Sequence, residues 1–321
     1  MLNMDYEILI GGRRLGLLTS VTVRHSVETL TDTATIIVPA SYLNRTLNLE
    51  KYIKEGEWVQ IELGYNGNLQ TEFKGYLKTI KTDDKNITLE CEDPLYLFRT
   101  QLKDQQLQSI TLKTLLQHIT QQVNQQQQTN YTINCDYTFT YKKITISCAT
   151  AIDVLKKIQD ETKANIYVEN NTLHIHPPYS KMNPKPINFN FAVNVQQSEL
   201  KYVKAKDKNI KIEIKTTLPD GTEIKAEYGT ENGQTKTRKV SAATQQDLLT
   251  LAKNEYNLLC YDGYEGSLTA WLVPYCQPTD QIKIIDADYP QKEGCYYVIA
   301  TEVNFNSNGA TRKITIGRRT K

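Results

Sequence analysis

From Gly56 to Arg99 the chain alternates between hydrophobic and polar residues with the period of two that a half-buried strand requires. Val59, Ile61, Leu63 and Tyr65 fall on one face, and Trp58, Gln60 and Glu62 on the other. Asn66-Gly67 is a two-residue hairpin signal at the end of the run. A second strand is predicted over 71–81, and Asp83-Asp84-Lys85-Asn86 then turns the chain into Ile87, Leu89 and Cys91. The same order returns near the C-terminus. Strands are predicted over 281–289 and 295–304, with a turn over 290–294 between them. Asn306-Ser307-Asn308-Gly309 turns the chain into a closing strand over 312–319. Strand and turn spacing match better than residue identity, which predicts a structural duplication.

The other segments are read in the same way. Residues 6–10 form a strand that ends in the turn Gly11-Gly12. Val21 and Val23 open another, which leads through a polar bend to 33–38. Pro39, lacking an N–H, stops pairing there. Residues 42–53 read as a connecting segment, a short helix or an ordered loop. Close-set strands and turns argue for a small barrel or sandwich. Leu112, Leu115, Leu116, Ile119 and Val123 recur at helical spacing, with Ser109 or Thr111 as cap. A second helix starts near Thr150 with Ile152, Val154, Leu155 and Ile158 inward, and Asn165 as a stop. A hairpin over 166–176 turns at Asn170-Asn171. After the Pro-punctuated linker 179–186, Ile210, Ile212 and Ile214 alternate with Lys211, Glu213 and Lys215, and Pro219-Asp220-Gly221 returns the chain over 222–228. Residues 229–240 read as a polar loop, 241–259 as a third helix and 268–273 as a strand. The expected divisions are 1–99, a first β domain; 100–178, an α+β domain; 187–228 with 264–321, a second β domain; and 229–263, a helix-containing insert. The fold class is α+β, mainly β.

Composition narrows the function. A chain of 321 residues can hold two or three cores. A net charge of +2 argues against a dedicated nucleic-acid binder. Twenty Tyr against six Phe fits extensive protein–protein contact better than one large dry core. The N-terminus has no signal-peptide pattern, and no apolar run is long enough to cross a membrane, so no membrane insertion is expected. The six cysteines are scattered without metal-type spacing, as in a protein folded in a reducing cytoplasm.

Candidate chemistry is sparse. His174 and His176 share a strand face, but no nearby His, Cys or carboxylate run supplies the further ligands a metal would need. They read as two histidines on the wet face of a hairpin. His25 is isolated and His118 reads as exposed. No G-x-S-x-G, H-E-x-x-H, Walker-type or G-x-G-x-x-G pattern occurs. Asp83-Asp84 and Asp286/Asp288 are the closest carboxylate pairs; a glycosidase pair is the sharp reading and a solvated turn the plain one. Lys201, Lys204, Lys206, Lys208, Lys211 and Lys215 could form a nucleic-acid track, yet Asp207 and Glu213 dilute it and Tyr202 is its single aromatic. The Gln-rich piece 121–128 reads as the polar end of a helix. No catalytic, cofactor or metal residue is assigned. Trp58 lies on the outward face, where a large ring is covered either by a partner or by the chain's own α+β domain. Trp271 poses the same question, and both are taken as candidate partner-interface residues.

The order of pieces carries a resemblance. A β unit ending in EFKGYLKTIKTDDKNITLECEDPLYLF is followed by the helix SITLKTLLQHITQQV, by AIDVLKKIQDETKANIYVENNTLHIHP, and by a second β unit ending in YYVIATEVNFNSNGATRKITIGR. Over nearly the whole chain this resembles the tail hub proteins of contractile-tailed phages, related to the hub portion of type VI secretion spike proteins. The resemblance implies two similar small β-barrel domains with smaller helix-containing α/β domains attached. It also implies a homotrimeric ring at the centre of the baseplate, pseudo-sixfold because each chain brings two like domains. Implied partners are the central spike protein, the tail tube protein, the tape-measure protein and baseplate wedge proteins, with genome DNA passing through the channel without specific binding. The implied location is the virion, assembled in the bacterial host cytoplasm, with no enzymatic role. No spike repeat or lytic domain follows Lys321, which suggests a stand-alone hub. The hub of a genome-free contractile injection particle, and a cell-wall or polysaccharide-binding module or wall hydrolase, are the competing expectations.

Overall fold

A computed structural model describes residues 3–40, 52–218, 221–242 and 244–320. The expected segment 42–53 falls, up to Lys51, outside the described residues, as do Pro219 and Asp220 of the expected turn. The chain opens with strands β1 (Met4–Ile10), β2 (Arg13–Arg14), β3 (Ser20–Ser26), β4 (Thr33–Pro39), β5 (Trp58–Tyr65), β6 (Asn68–Thr82) and β7 (Asn86–Glu92). Next come β8 (Gln105–Thr111), helix α1 (Leu112–Gln127), β9 (Thr132–Cys135), β10 (Thr140–Ile146), α2 (Ala151–Thr162), β11 (Asn165–Glu169) and β12 (Thr172–His176). β13 (Ile187–Asn190) and β14 (Val195–Val203) lead to the short α3 (Ala205–Lys208), β15 (Ile210–Thr217), β16 (Glu223–Gly229), β17 (Gln234–Lys239) and α4 (Gln245–Leu259). β18 (Gly263–Ala270), β19 (Gln281–Ile285), β20 (Gly294–Asn306) and β21 (Gly309–Arg319) end the chain. The protein is mainly β with several antiparallel sheets.

Two compact units result. The first holds residues 1–96, 183–201 and 265–321; the second holds 97–182 and 202–264. In the first unit one order of strand pairing occurs twice: β5–β6–β7–β4–β3 and β19–β20–β21–β18–β14. The register repeats with it. β6 and β20 each carry one extra residue, Lys78 and Ile299, where pairing to the next strand shifts. Counted from that bulge, the pair Trp58–Tyr76 corresponds to Gln281–Tyr297, Val59 to Ile282 and Ile61 to Ile284. Leu77, Leu89 and Cys91 correspond to Val298, Ile314 and Ile316, and Ile36 and Val38 to Leu268 and Ala270. From Val59 onward all of these are buried.

The main chain agrees. Gly56 N–H donates to Leu77 O and Leu77 N–H to Glu57 O, while Thr279 N–H donates to Val298 O and Val298 N–H to Asp280 O. Gly56 and Thr279 share a left-handed backbone, with φ of +85° and +77°. Glycine takes this freely, whereas threonine gives up roughly 1–3 kcal/mol to hold it.

The halves are continuous. Ala300–Asn306 of β20 pairs antiparallel with β3, on the side where the start of β20 pairs with β19. Leu272, Val303, Phe305 and Ala310 join Val59, Ile61, Leu89 and their neighbours in one core. Each fully buried aliphatic side chain of this kind is worth about 1.5–3 kcal/mol.

In the second unit α1 is capped by Thr111, whose side chain accepts from Thr114 N–H, and it buries Leu112, Leu115, Leu116, Ile119 and Val123. α2 has a full capping box from Thr150 and Asp153, and ends at Lys163 in a left-handed conformation. Asn170 and Asn171, both at positive φ, close the β11–β12 hairpin. The β15–β16 hairpin forms its own sheet with β17, and α4 packs against it with Leu248, Leu251 and Ala252 buried. By contact it groups with 97–182, whereas the sequence reading placed 187–228 with the C-terminal strands.

Several boundaries differ from expectation, each for a local reason. Residues 229–240 contain β17, a nearly fully exposed edge strand without the alternation that marks burial. α4 begins at Gln245 because Thr244 caps it. The strand expected over 268–273 is β18, ending at Ala270; Gly263 and Gly266 mask its start. A Cβ on Gly266 would lie 2.0 Å from the Glu199 carbonyl, so β14 can approach there only because the residue is glycine. β19 stops at Ile285, where the buried Asp286 carboxylate accepts from the N–H groups of Asp288 and Tyr289.

Candidate interaction surface

Trp58 opens β5 and is 40 % exposed. Its ring meets the edge of Tyr76 at 5.1 Å, and Tyr76 stacks on Tyr96 at 5.5 Å, an aromatic ladder across the sheet within the first unit. Burial pushes the Tyr76 hydroxyl pKa up. Beside the ladder Arg13 Nη1 donates to Tyr52 O at 2.7 Å and lies 3.6 Å from Glu57. Trp271 follows β18 and is also 40 % exposed, with Val273 exposed beside it and Leu272 between them in the core. In the doubled frame Trp58 stands where the other half has Gln281, and Trp271 stands where it has Pro39. The two tryptophans therefore mark unlike points on like frames, each presenting a large apolar ring at the surface.

Reading the sequence missed the buried charge in this unit. Arg312 and Glu72 form an ion pair at 2.7 Å with both side chains 1 % exposed. Arg312 also donates to Cys276 O at 3.2 Å and Leu272 O at 3.3 Å, and lies over the Tyr275 ring at 4.9 Å. Burial pushes the Cys276 thiol and the Tyr275 hydroxyl to about 12. Glu72 points inward because it is the extra residue of a second β6 bulge, between Ile61–Phe73 and Glu62–Thr71. Its carbonyl accepts from His25 Nε2 at 2.7 Å, and His25 Nδ1 lies 2.7 Å from Asp32. Burial alone would lower the His25 pKa, but Asp32 and Glu72 together raise it. Asp93, next to Asp32, is pushed well upward by burial and by the Asp32 charge. His25 is thus part of a network joining β3, β6 and β21.

The other candidates resolve locally. Asp83 accepts from Lys85 and Asn86 N–H at 2.7 Å each, which lowers its pKa. Like Asp286, it holds a turn. Lys211 pairs with Glu227, and Lys215 and Lys225 with Glu213. These lysines belong to a charge ladder across β15 and β16, where opposite signs interleave. His176 departs from the expected wet face: it is 1 % exposed, 3.1 Å from Asp136, because Tyr167 and His174 close over it. Burial lowers the pKa of both histidines. His118 Nε2 lies 2.9 Å from Gln105 Oε1 and is half-buried. Arg238 ties the β17 sheet to the end of α2 by donating to the Asp160 and Glu161 carbonyls, and it pairs with Glu255. A polar groove of about 580 Å³ runs along α1 past Gln117, Gln121, Asn124 and Tyr131, with no carboxylate or histidine lining it.

No family model matches the sequence, and no curated protein matches it. Solved structures do. A tail protein from Neisseria meningitidis MC58 superposes with a TM-score of 0.68 at 12 % identity, covering 98 % of this chain and 96 % of that one. The 43 kDa tail protein of prophage MuSo2 from Shewanella oneidensis gives 0.69 at 15 % identity, covering 98 % of both chains. An E. coli component of the type VI secretion system, described as structurally similar to T4 bacteriophage tail proteins gp27 and gp5, gives 0.60 at 9 % identity, covering 98 % of this chain and 79 % of that one. The chain shares the fold of these phage tail and type VI secretion proteins.

Proposed function

We propose that this protein is the structural hub of a phage tail baseplate. Three copies form a ring that joins the central spike to the tail tube, with wedge proteins outside it. The channel admits the tape measure and, at infection, genome DNA that is not specifically bound. The hub works by fit and carries out no chemistry. It resides in the virion after assembly in the host cytoplasm. The observation that carries the reading is the doubled strand order with its matched bulges, because two like frames per chain give six like places in a threefold ring. Around that ring Trp58 and Trp271 alternate, offering a threefold spike its own set of contacts and a sixfold tube the shared frame. Light scattering on the purified chain alone should give three times the chain mass of 36.8 kDa, and on the chain co-expressed with its spike that mass plus the mass of the spike. A monomer that persists with the spike present overturns the proposal. The likeness to a type VI secretion component supports a second reading, the hub of a genome-free contractile particle. Absence of capsid genes beside this gene would favour it.

A further inference from the structure

We infer that the ring closes by strand addition: the outer edge of β6, from Lys78 to Lys81, pairs antiparallel with the outer edge of β14, from Val195 to Lys201, of the next copy. The inference rests on the trimeric reading above and names its interface. The chain contains the template. Within one copy the second half of β20, past the bulge at Ile299, pairs with β3. In the doubled frame β6 is the counterpart of β20, and β14 the counterpart of β3. Pairing of β5 with β6 stops at Trp58–Tyr76, with one further exchange between Leu77 and the Gly56–Glu57 turn. Beyond it, among the described residues, no strand lies against β6 on that side. β14 likewise ends the sheet order, its far edge without a strand among the described residues.

Hydrogen-bond parity fits. Asp83 N–H bonds Asn86 O at the hairpin end, so Lys81 and Thr79 turn their main-chain groups toward β7. Ile80 therefore turns its main-chain groups outward. Lys78 is the counterpart of Ile299, whose carbonyl accepts from Val27 N–H at the internal junction. The side chains fit as well. The internal junction is bridged by Arg24 on β3 and Glu302 on β20, at 2.7 Å. The counterpart of Glu302 is Lys81, which pairs with Glu90 within one copy, and β14 carries one acid, Glu199, within the span of the proposed seam. A long strand edge left open would add further chains without limit, whereas addition to the next copy in a closed ring pairs both of these edges.

The test uses the full chain with Cys148→Ser to remove the exposed thiol. Lys81→Cys is combined in turn with cysteine at each of positions 196–200. Mild oxidation should yield covalent trimers on non-reducing gels for at least one neighbouring pair. Ile80→Pro, which removes an outward N–H and leaves the β7 bonds in place, should abolish the trimer by light scattering while native tryptophan emission persists. If that variant unfolds, the cysteine scan decides alone. A trimer with no cross-link anywhere in the scan overturns this seam and leaves the trimeric reading standing. A chain that is monomeric throughout overturns both.

Discussion

Replacing Arg312 with Met probes the seam between the two halves of the first unit at its most costly point. The substitution keeps the volume but leaves the Glu72 carboxylate, 1 % exposed, without its partner and takes the donor from Cys276 O and Leu272 O. Removing one member of a buried pair costs about 3–5 kcal/mol, most of it the price of an uncompensated charge. Both tryptophans, Trp58 and Trp271, lie in this unit, so their emission follows its unfolding selectively. With a urea m-value of roughly 3 kcal/mol/M, the midpoint should fall by about 1–1.7 M. Glu72→Leu combined with Arg312→Met should recover part of the loss, because two well-packed apolar side chains are a tolerable substitute for an ion pair. The double-mutant cycle should give a coupling of about 2–3 kcal/mol. Single losses below about 1 kcal/mol, or strictly additive losses, would refute the claim that this pair locks the halves together.

Other outcomes follow from the same contacts. The raised pKa of His25 means that its charged form stabilises the fold. That contribution is complete below the unfolded value of about 6.5 and is lost as pH rises through the folded value, so the urea midpoint should decline from neutral pH upward. His25→Gln should flatten the decline; an unchanged pH profile would contradict the assignment to Asp32 and Glu72. Thr150→Ala breaks the capping box of α2 and should cost about 1 kcal/mol, read as faster amide exchange in residues 151–155 with no change in tryptophan emission. Trp58→Ala should weaken assembly, measured by light scattering with the spike present, while lowering stability by only about 1 kcal/mol through the lost Tyr76 contact. Unchanged assembly with a large drop in melting temperature would make Trp58 a packing residue.

What the sequence made legible is what alternation and turn chemistry mark directly. β5, β6 and β7, the Asn66-Gly67 turn, α1, α2 and the β11–β12 hairpin lie near their expected places because each has one apolar face and punctuation at its ends. β14 was invisible: VQQSELK has no apolar face and is only half-covered in a single copy. β8 and β17 escaped for the same reason. Glu72 looked like an outward residue because a bulge, which reverses facing, leaves no trace in composition. Arg312 did carry a signal, since it alternates in step with the buried Ile314 and Ile316. A charge at an inward position implies a buried partner. The doubled frame was readable only as spacing; its proof lies in hydrogen-bond register, which side chains of such different identity do not encode.

Averaged electron micrographs of the purified protein bear most directly on the account. They should show a ring with threefold symmetry and six similar lobes around an open centre. Single particles without a ring, or a ring whose lobes number other than six, would contradict it.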